Sequence, residues 1–184
     1  ECRQPNHYQM NGTLDGYLRD SGISGISGID TRALTRRLRT GGVMMGAVAA
    51  DASPAEALAE LQNAPGYEGT DFVRQVSTDK PFHWDGSRKD TEFKVAVLDM
   101  GTKFNILRLL NSLGCDLTVY PCATPAEEIL AARPDGILFS PGPGDPDLLD
   151  YILANVKKLI DKLPIMGICL GNQMIARAFG GSNF

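Results

Sequence analysis

The spacing of apolar positions changes character midway along the chain. From Phe93 onward, short apolar runs alternate with segments whose apolar residues recur at helical spacing. "FKVAVLDMG" reads as a strand ending in a glycine turn. "KFNILRLLNSLG" reads as a helix with Ile106, Leu109, Leu110 and Leu113 on one face and Gly114 as its stop. "CDLTVYP" is then a strand, "TPAEEILAAR" a helix, "GILFS" a buried strand and "PDLLDYILANVKKLID" a helix. "PIMGI" and "GNQMIARAFGG" add a last strand and helix. Strict alternation of this kind predicts an α/β domain, a doubly wound parallel sheet over residues 93–184.

The earlier residues are patterned differently. Residues 1–20 are polar and weakly periodic, and three Ser-Gly-Ile units follow, too few for a solenoid repeat. A helix signal begins at Asp30, a candidate cap, with Ala33, Leu34 and Leu38 as its apolar stripe and Gly41 and Gly42 as its end. Arg32, Arg36, Arg37 and Arg39 then point mostly outward, as a solvated face or as a docking surface for an acidic partner. "VMMGAVAA" (43–50) reads as a short buried strand. "SPAEALAELQNAP" reads as a helix capped by Ser53 with Pro54 at its first position. The polar, Pro- and Gly-containing stretch "STDKPFHWDGSRKDTE" marks a boundary. The expected organisation is the remainder of a smaller α/β N-terminal domain over 1–78, a linker over 79–92 and the first half of the doubly wound domain, incomplete at its C-terminal part, over 93–184.

Composition narrows the function classes. At 184 residues with 43% hydrophobic and 22% charged residues, the chain is an ordinary globular one. Its apolar runs fall far short of the roughly 20 residues a membrane span needs, and the expected location is the cytoplasm. A net charge of -4 gives no bulk attraction to nucleic acid or to an anionic membrane. The four cysteines are too scattered for a disulfide framework, and neither they nor His7 and His83 have metal-ligand spacing, so no metal is expected. The chain opens without Met and stops just after a helix, where a parallel sheet normally continues. It therefore reads as the central piece of something longer.

Ligands of such sheets sit outside the carboxyl ends of the strands. Two features fall there, "SPGPGDPD" and "GICLG". Gly167-Ile168-Cys169-Leu170-Gly171 has the pattern of a nucleophile elbow with Cys in place of Ser. A strand-to-helix turn this tight needs small neighbours, which the two glycines supply. The helix beginning after Cys169 turns its N–H groups and positive dipole end toward the sulfur, and the Leu170 N–H is placed to donate to an oxyanion. The bland alternative is a buried cysteine among packing glycines. The Gly142-Pro143-Gly144-Asp145-Pro146 loop is either a sharp connection capped by Asp145 or Asp147, or the source of a second oxyanion donor. Acyl transfer at a cysteine also needs a base, usually His oriented by a carboxylate. No histidine follows Cys169, and His7 and His83 both precede the α/β unit.

"GPGDP" followed about 25 residues later by "GICLGNQ" resembles the class I (triad) glutamine amidotransferases. "GIDTRALTRRLR" and "FKVAVLDMGTKFNILRLL" narrow the resemblance to the small chains of glutamine-dependent carbamoyl-phosphate synthases, over nearly the whole chain. The resemblance implies a subunit that hydrolyses glutamine through a cysteine thioester and passes ammonia to a large synthetase chain. It implies Cys169 as nucleophile, Leu170 and Gly142 as backbone oxyanion contacts, and Gly144 and Gln173 lining the glutamine site. The arginine helix would belong to the part that docks on the large chain. No cofactor is implied here; ATP and Mg would act only on the large chain. The product would serve arginine or pyrimidine biosynthesis. Asn172 stands where many relatives carry His, at a position that is not the triad base. The family's catalytic His and Glu fall beyond residue 184, so the piece alone is expected not to turn over glutamine. Two rivals differ in class: a cysteine hydrolase or redox protein with an elbow thiol, and a non-catalytic interaction module.

Overall fold

The structure, a computed structural model, describes residues 4–8 and 10–182. The chain divides into two compact units, residues 1–68 and 69–184. The described residues of the first unit form three helices, α1 (Leu14–Asp20), α2 (Thr31–Gly41) and α3 (Pro54–Asn63). Their ends follow from local chemistry. Asp30 accepts from the Ala33 N–H at 2.9 Å, and α2 stops where Gly42 adopts a φ of 75°. Ser53 and Glu56 form a reciprocal capping box ahead of α3, with Pro54 in its first turn. The expected strand over 43–50 is not formed, and its Val43, Met44, Met45 and Val48 are exposed. A strand is made by the neighbour that takes up its N–H and C=O groups, and the described residues of this unit contain none. The described residues of this unit form helices and no strand.

The second unit is built on a sheet in the order β1-β3-β2-β4-β5: β1 (Phe82–His83), β2 (Phe93–Asp99), β3 (Cys115–Pro121), β4 (Gly136–Phe139) and β5 (Ile165–Gly167). The last four are parallel and β1 is an antiparallel edge strand. Because the chain winds from β2 to β3 on one side and then crosses to β4 on the other, the sheet is doubly wound, as expected.

The period of two along each strand divides the core. Ala96, Leu98, Ile137 and Phe139 pack under α6 (Ala126–Ala131), α7 (Asp150–Leu159) and α8 (Leu170–Ala178). Val97, Leu117, Val119 and Leu138 pack on the opposite face with Leu107 of α5 (Phe104–Ser112). The buried stripe of α5 differs from the expected one. Leu107 and Asn111 are buried, Ile106 and Leu110 partly so, while Leu109 and Leu113 are exposed. Asn111 can be buried because its carboxamide is fully engaged: Oδ1 accepts from the Arg88 N–H, and Nδ2 donates to the Arg88 and Cys115 carbonyls.

Residues 69–92, read from sequence as a domain tail and a linker, pack on the second unit. They carry a short helix, α4 (Val73–Val76), and β1. Val73 is fully buried in the core. Ser77 Oγ donates to the Asp99 carbonyl at 2.7 Å and accepts from the Cys122 N–H at 2.9 Å. Thr78 N–H donates to Asp99 Oδ2 at 2.8 Å.

Candidate active site

Four parallel strands deliver four connections to one end of the sheet, and the candidate residues come from the last two. β5 ends at Gly167, Ile168 N–H still donates to the Phe139 carbonyl at 3.1 Å, and α8 begins at Leu170. Only Ile168 and Cys169 separate strand from helix, and Cys169 takes the whole reversal, with φ 53° and ψ -111°. A non-glycine residue there is strained by about 1–3 kcal/mol. The turn closes through Gly171 N–H donating to the Ile168 carbonyl at 3.0 Å and Gln173 N–H to the Cys169 carbonyl at 3.1 Å.

The flanking glycines have a steric cause. A Cβ on Gly167 would lie 2.5 Å from the Asn172 nitrogen, and one on Gly171 would overlap the Phe139 carbonyl oxygen. Both residues must be glycine for α8 to start this close to β4 and β5. The Cys169 side chain is exposed, which leaves the thiol open to solvent at the mouth of the sheet.

The loop after β4 meets this elbow. Ser140, fully buried, accepts from the Met100 N–H at 2.8 Å and donates to the Pro141 carbonyl at 2.8 Å, tying the loop's start to the end of β2. At Gly142 a Cβ would overlap the Met100 carbonyl oxygen and lie 2.8 Å from Leu170 Cδ2, so this backbone sits directly on the elbow residue. Gly144 has a φ of 94°, and a Cβ there would touch the Phe72 ring at 3.6 Å. Asp145 caps the short 3-10 turn at Pro146–Leu148 by accepting from the Asp147 N–H.

The structure thus brings Cys169, Leu170 and Gly142 together, places Gly144 further along the same loop, and sets Gln173 one turn into α8 with its side chain exposed. Within the second unit it brings no histidine to them. His83 is on β1, where its Nδ1 lies 3.5 Å from Asp116 Oδ1. β1 and β5 are opposite edges of the sheet, and four strand spacings of about 4.8 Å put roughly 19 Å between them. His7 lies in the other unit. No group of His, Cys, Asp and Glu with metal-holding geometry occurs among the described residues. No helix among them is long and apolar enough to cross a membrane.

Sequence patterning missed three supporting side chains. Asp99, at the tip of β2, accepts from the Gly101 and Thr102 N–H groups at 3.0 and 2.8 Å as well as from Thr78. Ser140 and Arg177 act on backbone contributed by distant segments. Of the remaining thiols, Cys122 is buried beside the Tyr151 hydroxyl at 3.6 Å, Cys115 is partly buried with its pKa pushed up by desolvation, and Cys2 lies outside the described residues.

Residues 96–183 match the family described as glutamine amidotransferase class-I, and residues 1–48 match the one described as carbamoyl-phosphate synthase small chain, CPSase domain. Proteins named carbamoyl phosphate synthase small chain are similar along the chain. The one from Syntrophotalea carbinolica is 40% identical over 195 residues, covering 100% of this chain and 52% of its own length. The one from Xanthomonas campestris pv. campestris is 42% identical over 190 residues, covering 97% and 51%. A relative from Arabidopsis thaliana, named as chloroplastic, is 39% identical over 191 residues, covering 97% and 44%. The chain spans about half the length of the curated relatives it matches.

Proposed function

Since the chain belongs to the family of carbamoyl phosphate synthase small chains, we propose that it carries the nucleophile half of that family's glutamine-hydrolysing site. The observation that supports this most directly is the backbone of Cys169, held at φ 53° between β5 and α8, next to the Leu170 on which Gly142 sits. Strain of this kind needs a reason, and presenting a thiol at the mouth of a sheet supplies one.

In this reading the Cys169 thiolate attacks the carboxamide carbon of glutamine. A C–S bond forms while the carbonyl pair moves onto oxygen, and the Leu170 and Gly142 N–H groups receive that oxyanion. The C–N bond then breaks, the leaving nitrogen takes a proton, and ammonia departs. Water cleaves the glutamyl thioester to glutamate and regenerates the thiol. Gly144 and Gln173 hold the substrate. We place the proton-transferring base outside residues 69–184, because their one histidine, His83, lies at the far edge of the sheet. Ammonia passes to a large synthetase chain that supplies ATP and Mg chemistry, and the reaction runs in the cytoplasm; the product serves arginine or pyrimidine synthesis.

The test is alkylation of Cys169 by iodoacetamide, with and without glutamine, in the full-length protein, together with Cys169→Ser kinetics. The expected results are protection by glutamine and loss of glutamine hydrolysis by three orders of magnitude or more, about what removal of a covalent nucleophile costs. Glutamine-independent alkylation with unimpaired hydrolysis in the variant would dismiss the reading.

A further inference from the structure

Arg177 lies on the last turn of α8, the helix that starts at the elbow. Its guanidinium reaches back onto the segment that follows the Gly142–Gly144 loop. Nη1 donates to the Pro146 carbonyl, Nε lies 3.3 Å from Asp147 Oδ1, and Nη2 lies 3.5 Å from Asp150 Oδ1. The arginine side chain is only 16% exposed, against 65% and 82% for the two carboxylates. All three sides of one planar fork are spent on one short segment, the 3-10 turn and the first residue of α7.

We propose that Arg177 is a positioning residue that fixes the oxyanion-binding loop against the elbow. This rests on the glutamine-hydrolysing reading above and adds to it a residue that touches no substrate. Arg177 is eight residues beyond Cys169, about 12 Å along a helix, so it acts only through what it holds.

The loop is held at two ends. Its start is tied by Ser140 to Met100 and seated by Gly142 on Leu170. Its far end is tied by Arg177 to α8. Because α8 carries one oxyanion donor at Leu170 and the loop carries the other at Gly142, clamping loop to helix sets the distance between the donors. Preorganised donors act only when aimed at the position the oxyanion will occupy. A single contact to the carboxylates would not achieve this, since exposed ion pairs are individually weak. Donation to the Pro146 carbonyl takes hold of the backbone itself. An ammonium is a point charge and cannot engage a carbonyl and two carboxylates in one plane, so lysine is a poor replacement.

Losing the clamp leaves the Ser140 tether in place. The expected effect is therefore smaller than deletion of a donor, about a tenfold fall in kcat where a lost donor costs about 100-fold or more. Four full-length variants separate the possibilities: Arg177→Ala, Arg177→Lys, the pair Asp147→Asn with Asp150→Asn, and Lys158→Ala as a control that removes only an exposed ion pair to Glu127. Each is measured for kcat and KM of glutamine hydrolysis, for the rate of Cys169 alkylation by iodoacetamide, and for the thermal midpoint.

The expected pattern is a tenfold loss of kcat in Arg177→Ala, with alkylation within about twofold because that reaction needs no oxyanion hole. Arg177→Lys recovers only part of the loss. The double asparagine variant loses less than Arg177→Ala, since the Pro146 bond survives, and Lys158→Ala stays at the wild-type rate. Wild-type kcat in Arg177→Ala overturns the proposal, as does a loss of kcat matched by equal losses of alkylation and folded fraction. A wild-type protein with no glutamine hydrolysis overturns the functional reading and this inference with it, a result distinct from an active wild type with an unaffected variant.

Discussion

Cys169 concentrates in one residue the conflict between folding and chemistry. A φ of 53° with ψ -111° is open to glycine and costly for any side chain, and the neighbours Gly167 and Gly171 leave the turn nowhere else to relax. The strain can be measured by removing the side chain in two ways. Cys169→Ala deletes the thiol but keeps the Cβ, whereas Cys169→Gly removes the conformational penalty as well. The glycine variant is expected to be more stable than the alanine variant by about 1 kcal/mol, the strain relieved less the extra unfolded-chain entropy of glycine. Both should be inactive. Thermal unfolding of the pair checks this, and a glycine variant that melts at or below the alanine variant would mean that the turn stores no strain at Cys169.

At the scale of elements, the readable parts of the chain were those whose burial is apolar and periodic. Every strand from β2 to β5 and every helix from α5 to α8 has such a signal, as do the capped helices α2 and α3. α4 and β1 are too short and too polar to show one, and 43–50 shows a strand's composition without a partner strand to make it one. Within α5 the periodicity pointed at Leu109 and Leu113 because apolar spacing cannot register a buried carboxamide. The motif at Cys169 and Gly142 was legible because glycine reports backbone constraint directly. Asp99, Ser140 and Arg177 were not, because each also takes a backbone partner 21 to 40 residues away that only the fold brings near. Asn111 gives this a quantitative test. Asn111→Leu keeps the number and branching of the side-chain heavy atoms and improves the apolar stripe, yet leaves the Arg88 N–H and the Arg88 and Cys115 carbonyls without their partner. The expected outcome is a loss of about 2–3 kcal/mol in denaturant unfolding, since unsatisfied groups outweigh the added burial. A variant as stable as the wild type would show that water replaces the carboxamide at no cost.

For the molecule as a whole, the question is where the α/β unit begins. All the buried residues among those described lie from Val73 onward, so the second unit carries the core. Sequence patterning starts that unit at Phe93, at the first periodic strand. The structure starts it at Gly69, because residues 69–92 cover the carboxyl ends of β2 and β3 through Val73, Ser77 and Thr78 and add β1 to the sheet edge. Burying Val73 contributes about 1.5–3 kcal/mol and each of the three hydrogen bonds about 1 kcal/mol, before β1 is counted. A chain of residues 69–184 is therefore expected to unfold at a higher denaturant midpoint than one of residues 93–184. The same segment puts Phe72 beside Gly144, so its loss should also loosen the loop that sits on Leu170. Equal unfolding midpoints for the two chains would return residues 69–92 to the role of linker. A midpoint that rises with the longer chain would make them part of the floor on which the candidate site is built.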